Sequence, residues 1–345
     1  MYGQAIGDAL GARYEFEHAA VTTNKIDNDM RPRDGVEFLP ILGGGPFRLI
    51  AGEVTDDTEL ALALARSLLR KRTYDQEDVT ASYLRWMDSQ PDTIGRTTLA
   101  AFTPESGDTA AHVEETARQR NSASQSNGFL MRISPLAIAA VHWPVETLAH
   151  CARRNCVLTN PHVNCQNAVQ VYATAIHCLL NGKSVEETYG ICEQLAKADS
   201  MTVVSDMLSR AKERALPVVL EDGSEARGDD RLQGYFGVAM QGAFHELWKL
   251  KEGPLSAGRF HDALVRIVRR GGDTDTNGCI GGALLGALHG ASNVPTDWKE
   301  RVREARGPRA YASASTPRTF NDVQLADIEE VALKLVKCAA PRTNA

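Results

Sequence analysis

The sequence predicts an all-α protein, because helical periodicity dominates it, strand-like alternation is scarce and two glycine ladders suit packed helices. Apolar residues recur at three- and four-residue intervals, the spacing of one helix face, along five segments. Those segments are Thr58–Arg72, Cys165–Lys183, Val185–Ala198, Val238–Glu252 and Asp322–Cys338. The best strand candidate, Val36–Leu42, is short. We therefore expect a single compact domain of orthogonally packed helices over residues 1–345.

Two polar stretches predict surface loops. They are Glu221–Arg231 and Arg303–Thr319, and the second is long enough to be mobile. No internal repeat of fixed period and no interdomain linker interrupts the chain, which agrees with one domain.

The glycine ladders predict two central helices in tight contact. Four-residue spacing places side chains on one stripe of a helix, where glycine lets another backbone approach closely. Glycine costs about 1 kcal/mol relative to alanine within a helix, so a whole stripe indicates a packing requirement. The two ladders are Gly3, Gly7 and Gly11, and Gly278, Gly282, Gly286 and Gly290.

Composition argues against membrane and nucleic-acid partners. The chain is 43% hydrophobic and 24% charged, with a net charge of −6, so no general positive field attracts phosphates. Its seven cysteines form no CxxC pair, which favours reduced thiols. No signal-peptide pattern and no apolar run of membrane-spanning length is present. We expect a cytoplasmic monomer that binds neither a membrane nor a specific nucleic-acid sequence.

Two acidic clusters each precede an apolar helix, and helix capping is the simplest explanation of either. Asp and Thr accept hydrogen bonds from free N–H groups, and acids favour the positive end of the helix dipole. One cap accounts for one carboxylate, however, and each cluster has two beside a hydroxyl. The clusters are Thr55, Asp56 and Asp57, and Asp273, Asp275 and Thr276.

The same clusters suit divalent metal ions. Carboxylate and hydroxyl oxygens are hard ligands, preferred by Mg²⁺, Mn²⁺ and Ca²⁺ rather than by zinc or copper. Four carboxylates converging from two helix ends can hold two such ions, roughly 3.5–4 Å apart. Without metal, some of these carboxylates would have to take up protons.

Six segments in this order resemble the ADP-ribosylglycohydrolases, the relatives of the dinitrogenase-reductase-activating glycohydrolase. They are "GDALGARYE", "GGGPFRLIAGEVTDDT", "IGRTTLAAF", "SNGFLMRISPLAI", "LTNPHV" and "RGGDTDTNGCIGGALLGA". The resemblance extends from Gly3 to about Trp298. It implies an all-helical fold, two bound Mg²⁺ or Mn²⁺ ions, and removal of ADP-ribose from proteins or related small conjugates.

The resemblance also implies roles for individual acids. Glu15 matches a family glutamate on a mobile loop that reaches the metal site; Glu17 is the rival, but the distance from the "GD" pair favours Glu15. Glu15, Asp57 and Asp275 are the implied catalytic residues. The implied metal ligands are Thr55, Asp56, Asp57, Asp273, Asp275 and Thr276.

Ligand contacts are implied at three further places. Asn127 and Gly128, preceded by Ser126, match a turn that contacts ribose and phosphates, and exposed N–H groups suit phosphate oxygens. Gly95 and Thr97 match a second such loop. At Tyr235 the family places an aromatic near the adenine, and burial in the core is the alternative.

Three positions depart from the family pattern or leave it open. Ser126 stands where the family often has glycine. Asn160 replaces the histidine of a family Thr-His pair, so His162, two residues later, either substitutes for it or is structural. Arg132 is either a phosphate partner or the partner of a buried acid.

The resemblance therefore implies a hydrolase that cleaves the glycosidic bond of an ADP-ribosyl conjugate. A non-catalytic ADP-ribose-binding or transferase-blocking protein, with a cognate ADP-ribosyltransferase as partner, is the alternative. A dimetal phosphohydrolase that yields AMP is the third reading. Arginine, serine, a nucleic-acid end and an acetyl group remain open as acceptors. ADP-ribosyl-arginine leads because it is the family's best-known bacterial substrate.

Overall fold

A computed structural model of the chain describes residues 1–33, 35–103, 105, 107–305 and 323–341. Sixteen α-helices lie in these ranges, and none of them is long and apolar enough to cross a membrane. The helices are α1 (Tyr2–Gly11), α2 (Ala19–Asp29), α3 (Asp56–Lys71), α4 (Gln76–Asp88), α5 (Arg96–Ala101), α6 (Ala110–Asn121), α7 (Ser134–Ala139), α8 (Val145–Val157), α9 (Val163–Leu180), α10 (Val185–Ala198), α11 (Thr202–Ala211), α12 (Phe236–Lys249), α13 (Ala257–Val268), α14 (Thr274–His289), α15 (Thr296–Glu304) and α16 (Ile328–Leu335). Two antiparallel pairs are the only sheets in the described ranges: β1 (Arg31–Arg33) with β2 (Val36–Phe38), and β3 (Val218–Val219) with β4 (Glu225–Ala226).

The predicted all-α class is confirmed, and the five periodic segments are helical with differences at their ends. Helix α10 has the predicted bounds. Helix α3 begins two residues earlier than predicted, since Thr55 caps it by accepting a hydrogen bond from the N–H of Asp57. Helix α16 is shorter than the predicted Asp322–Cys338, and Asp322 lies outside the described residues.

Three predictions about non-helical segments need correction. Strand β2 ends at Phe38, short of Leu42, because the N–H of Leu39 donates to His261 Nε2 instead of a strand neighbour. The stretch Glu221–Arg231 is not wholly a loop, since it contains β4. The stretch Arg303–Thr319 begins inside α15, which extends to Glu304, and residues 306–319 lie outside the described part of the chain.

Helices α1 and α14 contact each other through their glycines, as predicted. A Cβ atom added to Gly3 would lie 2.0 Å from the carbonyl oxygen of Gly282, and one on Gly7 would lie 1.9 Å from that of Gly278. Both distances are far below van der Waals contact, so any larger residue would force the helices apart. Gly290 does not join this contact; it follows the last residue of α14 at φ +67 and ends the helix.

Helix α14 lies between two hydrophobic clusters. Ile280 and Leu284 belong to the larger cluster, which is built around α3, α4 and α7 to α12. Leu285 belongs to the second cluster, formed mainly by α1, α13 and α15. Helix α14 is therefore held from both sides, which fixes the direction in which its acidic first turn points.

The α1–α14 contact predicts opposite effects for two glycine-to-alanine substitutions in helices. Gly7→Ala should lower the free energy of unfolding by roughly 3 kcal/mol or more, because its Cβ overlaps the Gly278 carbonyl. Gly190→Ala in α10 should raise it by up to about 1 kcal/mol, because no atom lies within 4 Å of the added methyl group. Urea unfolding of both variants tests this, and equal effects would contradict the packing role of the stripe.

Candidate active site

A cleft of about 610 Å³ opens where α3 and α14 begin. Its floor carries five carboxylates, from Glu15, Asp56, Asp57, Asp273 and Asp275, together with Thr276. The walls are residues 93–98, residues 123–128, Leu220 and residues 231–235, and the rim carries Phe16 and Phe47. The two acidic clusters that are far apart in the sequence thus share one cavity.

The segment around Glu15 is fixed beside the start of α14 by backbone hydrogen bonds. The N–H of Phe16 donates to the carbonyl of Gly272 at 2.7 Å, and the N–H of Gly272 donates to that of Glu17 at 2.8 Å. Gly272 has a φ of +74, and a Cβ there would lie 1.8 Å from the carbonyl oxygen of Gly228. Glycine is therefore required for this close approach of three segments.

This pairing brings Glu15 to the α14 acids. Three carboxylate oxygens lie within 4.8 Å of one another, one each from Glu15, Asp273 and Asp275. Glu15 and Asp275 are buried and Asp273 is half-buried. Asn127 Nδ2 donates to Asp273 Oδ2 at 2.7 Å, which holds one member of the group from the opposite wall.

Helix capping accounts for little of either acidic cluster. On α3 the cap is Thr55, whose Oγ1 accepts from the N–H of Asp57 at 3.4 Å. Asp56 instead accepts the N–H of Gly95 at 3.2 Å, which ties the 93–98 wall to the floor. On α14, Asp273 stands at the N-cap position but its side chain accepts no capping hydrogen bond. Apart from Asp275, whose Oδ1 accepts the N–H of Thr276 at 2.8 Å, these carboxylates are therefore not used to cap the helices.

Burial and mutual repulsion disfavour the charged forms of these acids. Burial, with the charges of Asp273 and Asp56, raises the pKa of Glu15 to about 9. Burial raises the pKa of Asp56 to about 6. Burial followed by neighbouring carboxylates raises the pKa values of Asp57 and Asp275 well above the usual range. Without a cation, several of these carboxyl groups therefore keep their protons at neutral pH.

The donor set fits a hard divalent cation. Glu15 Oε2 and Asp57 Oδ1 are buried without a hydrogen-bond partner among the described residues. A buried carboxylate oxygen without a partner is costly, and a cation bound there would remove that cost. The oxygens are those that Mg²⁺ and Mn²⁺ prefer.

Asp8 is a buried acid that sequence reasoning missed. It lies on α1, and its carboxylate accepts N–H groups from Thr55 at 3.0 and 3.1 Å and from Thr58 at 3.1 Å. The hydroxyl of Thr55 lies 3.0 Å from Asp8 Oδ1 and 2.9 Å from Asp57 Oδ2. Burial raises the pKa of Asp8 to about 7. The signal was an aspartate on the glycine-striped helix, within the quoted segment "GDALGARYE".

The predicted ligand-contact loops lie together on the cleft walls. Ser126 pairs with Tyr235 in an antiparallel bridge, and the N–H of Asn127 donates to the carbonyl of Gly234 at 3.0 Å. Ser126 Oγ donates to Thr97 Oγ1 at 3.1 Å, which joins the two loops. Tyr235 is 8% exposed and lines the cleft, so it is both a buried residue and a wall residue. Gly95 and Gly128 also line the cleft.

Three predicted site residues do not line the cleft. Thr55 lies behind the floor, where it contacts Asp8 and Asp57. Asn160 is fully buried, and its Nδ2 donates to the carbonyl and to the Oγ of Ser126, each at 3.1 Å. His162 caps α9, with Nδ1 accepting the N–H of Asn164 at 3.2 Å.

Arg132 is not paired with a buried acid among the described residues, and it does not line the cleft. It is fully buried, donates through Nε to Asn155 Oδ1 at 3.0 Å, and donates through Nη1 to the carbonyl of Gly128 at 3.2 Å. Its guanidinium lies 5.1 Å from the ring centre of Tyr83. Arg132 thus fixes the loop that carries Gly128 and has no contact with the cleft.

Comparison with known proteins agrees with this architecture. The family model described as "ADP-ribosylglycohydrolase" matches residues 1–338. A solved structure described as an "ADP-ribosylglycohydrolase-related protein complex" is 26% identical, with a TM-score of 0.67, and the match covers 97% of this chain and 95% of that one. The chain therefore shares its fold with a family of hydrolases.

Two relatives specify the family further. The chain is 27% identical to the ADP-ribosyl-[dinitrogen reductase] glycohydrolase of Rhodospirillum rubrum, over 87% of each chain. It is 28% identical to an ADP-ribosylarginine hydrolase of Pseudomonas putida, over 88% of this chain and 72% of that protein. The chain belongs to the ADP-ribosylglycohydrolase family, whose members hydrolyse ADP-ribosylated substrates.

The raised pKa values predict how the stability of the metal-free protein depends on pH. A carboxyl whose folded pKa exceeds its unfolded value of about 4 favours folding while it holds its proton. The free energy of unfolding in EDTA should therefore fall as pH rises from about 4 through the folded pKa values, which reach about 6 for Asp56 and about 9 for Glu15. Unfolding between pH 5 and pH 9 measures it.

Two variants isolate this effect from the titration of the rest of the chain. Asp275→Asn should flatten the pH dependence, because its buried carboxyl no longer titrates. Glu300→Gln, a change at an exposed acid, should leave the dependence unchanged. Equal slopes for the parent and Asp275→Asn would contradict the raised pKa.

Proposed function

We propose that this protein hydrolyses the N-glycosidic bond between ADP-ribose and an arginine side chain of a protein, releasing free ADP-ribose. The observation that carries the proposal is the position of Glu15, which stands with Asp273 and Asp275 at the floor of a cleft of about 610 Å³. Family membership supplies the class of substrate. The name of the Pseudomonas putida relative supports arginine as the acceptor.

In this proposal two Mg²⁺ or Mn²⁺ ions bind at the floor. The residues that would hold them are Asp56, Asp57, Asp273, Asp275 and Thr276 on the floor, and Thr55 from behind it, where its hydroxyl lies 2.9 Å from Asp57 Oδ2. Such cations would supply Lewis acidity and would neutralise the crowded carboxylates. The partnerless Oδ1 of Asp57 supports this assignment. Asp8 acts from behind the floor by holding the turn at Thr55, so it is a positioning residue.

The ADP-ribose part of the substrate would lie along the two wall loops. Thr97, Ser126, Asn127 and Gly128 line the cleft, and Tyr235 stands beside them as a surface for the adenine. Gly95 has no side chain that would narrow the cleft. The space beside it is open, because no atom lies within 4 Å of a Cβ built there. Asn160 and His162 contribute indirectly: Asn160 fixes Ser126, and His162 begins α9.

Glu15 is the proposed proton carrier. Cleavage at the ribose carbon passes through a transition state with oxocarbenium character, and the leaving group needs a proton. Oε2 of Glu15 is buried without a hydrogen-bond partner among the described residues, so it is free to carry a proton and donate it to the leaving nitrogen. Glu15 then takes a proton from the attacking water. Asp57 and Asp275 keep the reacting groups in position.

Product analysis tests the reaction class. With Mg²⁺ and an arginine-linked ADP-ribosyl peptide, we expect ADP-ribose as the product and loss of turnover in EDTA. Glu15→Gln should lower kcat by about 10²–10⁴-fold, the usual contribution of general acid–base catalysis. AMP as the product would indicate a phosphohydrolase, and ADP-ribose binding without turnover would indicate a binding protein.

Thermal melting tests the metal assignment apart from activity. Asp57→Asn and Asp275→Asn keep the shape of the side chain and remove one charge from a crowded site. In EDTA each variant should be at least as stable as the parent, because repulsion is relieved. Added Mg²⁺ should raise the Tm of each variant less than that of the parent, because metal binding to the native state is weaker.

The contrasting interpretation gives the opposite result. If these acids only cap helices, asparagine replaces them well, and the Mg²⁺-induced rise in Tm should be the same in parent and variants. Such a result in both variants would rule out the assignment.

A further inference from the structure

Two exposed phenylalanines stand at the rim of the cleft. The ring centroids of Phe16 and Phe47 lie 6.2 Å apart at an interplanar angle of 73°, an edge-to-face contact. Phe16 is 55% exposed and Phe47 is 38% exposed, so neither ring is buried in a core. Both line the cleft, and neither belongs to the acidic floor or to the wall loops.

The backbone holds Phe16 in place at an energetic cost. Its φ of 65 lies in the left-handed region, which is unfavourable for a bulky L-residue. The hydrogen bond from its N–H to Gly272 stabilises this conformation. An exposed ring in a strained backbone contributes little to stability, which indicates a functional reason for its presence.

Phe47 is presented by a tight loop. Gly44 and Leu49 close this loop with two backbone hydrogen bonds of 2.7 and 2.9 Å. Gly45 fits directly against α1's end, because a Cβ there would lie 2.1 Å from the carbonyl oxygen of Ala12. The loop therefore holds Phe47 over Phe16 by backbone contacts.

The phenylalanine pair lies where an acceptor side chain would leave the cleft. Glu15 and Phe16 line the cleft and also a second hollow of about 640 Å³ on their other side. If the reacting ribose carbon lies at the acids, the ADP-ribose part extends along the wall loops. The acceptor must then extend away from them, past Phe16.

We propose that Phe16 and Phe47 form a platform for the guanidinium group of an ADP-ribosylated arginine, and so select this acceptor. The inference rests on the proposed glycosidase function and deepens it. Aromatic faces attract a planar cation through the ring quadrupole. The cations that line the second hollow, Arg13 and Lys25, are each paired with a carboxylate, so neither is left unpaired to repel the guanidinium. A serine-linked acceptor is neutral and gains nothing from the ring faces.

Leucine substitutions separate the ring faces from simple bulk. Phe16→Leu and Phe47→Leu should each lower kcat/KM for an arginine-linked ADP-ribosyl peptide by about tenfold, mainly through KM, as expected for loss of a cation–π contact. Activity on the matching serine-linked peptide, and affinity for free ADP-ribose by calorimetry, should change less than twofold. Phe16→Tyr should retain the parent's preference. Leu333→Ala, a change at an exposed apolar residue on α16, should alter none of these values.

Thermal melting of one more variant separates loss of activity from loss of folding. Phe16→Asn should melt no lower than the parent, because asparagine tolerates the left-handed region, yet it should lose arginine-linked activity like Phe16→Leu.

The following results would overturn the inference. Equal losses on both linkages, or a weaker affinity for ADP-ribose, would show that the rings hold the ADP-ribose part or merely shape the cleft. Unchanged activity in both leucine variants would show that the rings have no role. Cleavage of the serine linkage alone by the parent would refute the platform and leave glycosidase activity intact, whereas release of ADP-ribose from neither peptide would refute the proposed function and the platform together.

Discussion

The contact between α1 and α14 is the constraint on which the cleft depends. Because glycines face carbonyl groups along this interface, the two backbones lie closer than any larger side chain would allow. Helix α1 ends at Gly11, where the hydroxyl of Thr274 donates to its carbonyl at 2.7 Å, so Glu15 reaches the first turn of α14 within a few residues. The same helix carries Asp8, which holds the first turn of α3. One helix thus positions both acidic clusters.

The position of these acids opposes folding in the absence of a cation. Five carboxylates share the floor of one cleft, and burial and repulsion raise the pKa values of several of them. A core built for stability alone would not contain this arrangement, since buried carboxylates without partners are unfavourable. Strain of this kind is typical of functional sites, and the left-handed backbone of Phe16 at the same rim is a second instance. Binding of cations to the native state would offset the first.

Features that follow a local pattern were predictable from the sequence. Helical periodicity located the five long segments, the glycine spacing predicted the α1–α14 contact, and the Thr-Asp clusters indicated the floor of the cleft. Contacts that depend on tertiary packing were not predictable. The partners of Arg132 and Asn160 lie on other segments, and an aspartate such as Asp8 resembles any helical polar residue until its burial is known. The exposure and the backbone angle of Phe16 likewise have no sequence signature.

We propose that the start of α3 and the start of α14 together form a divalent-cation site, whose buried carboxyls hold protons until metal binds. Calorimetric titration of the metal-free protein with Mg²⁺ at neutral pH, repeated in buffers of different ionisation enthalpy, measures both stoichiometry and proton release. We expect saturable binding of two ions per chain, accompanied by release of protons from the buried carboxyls. Absence of saturable binding, or binding without any proton release, would contradict it.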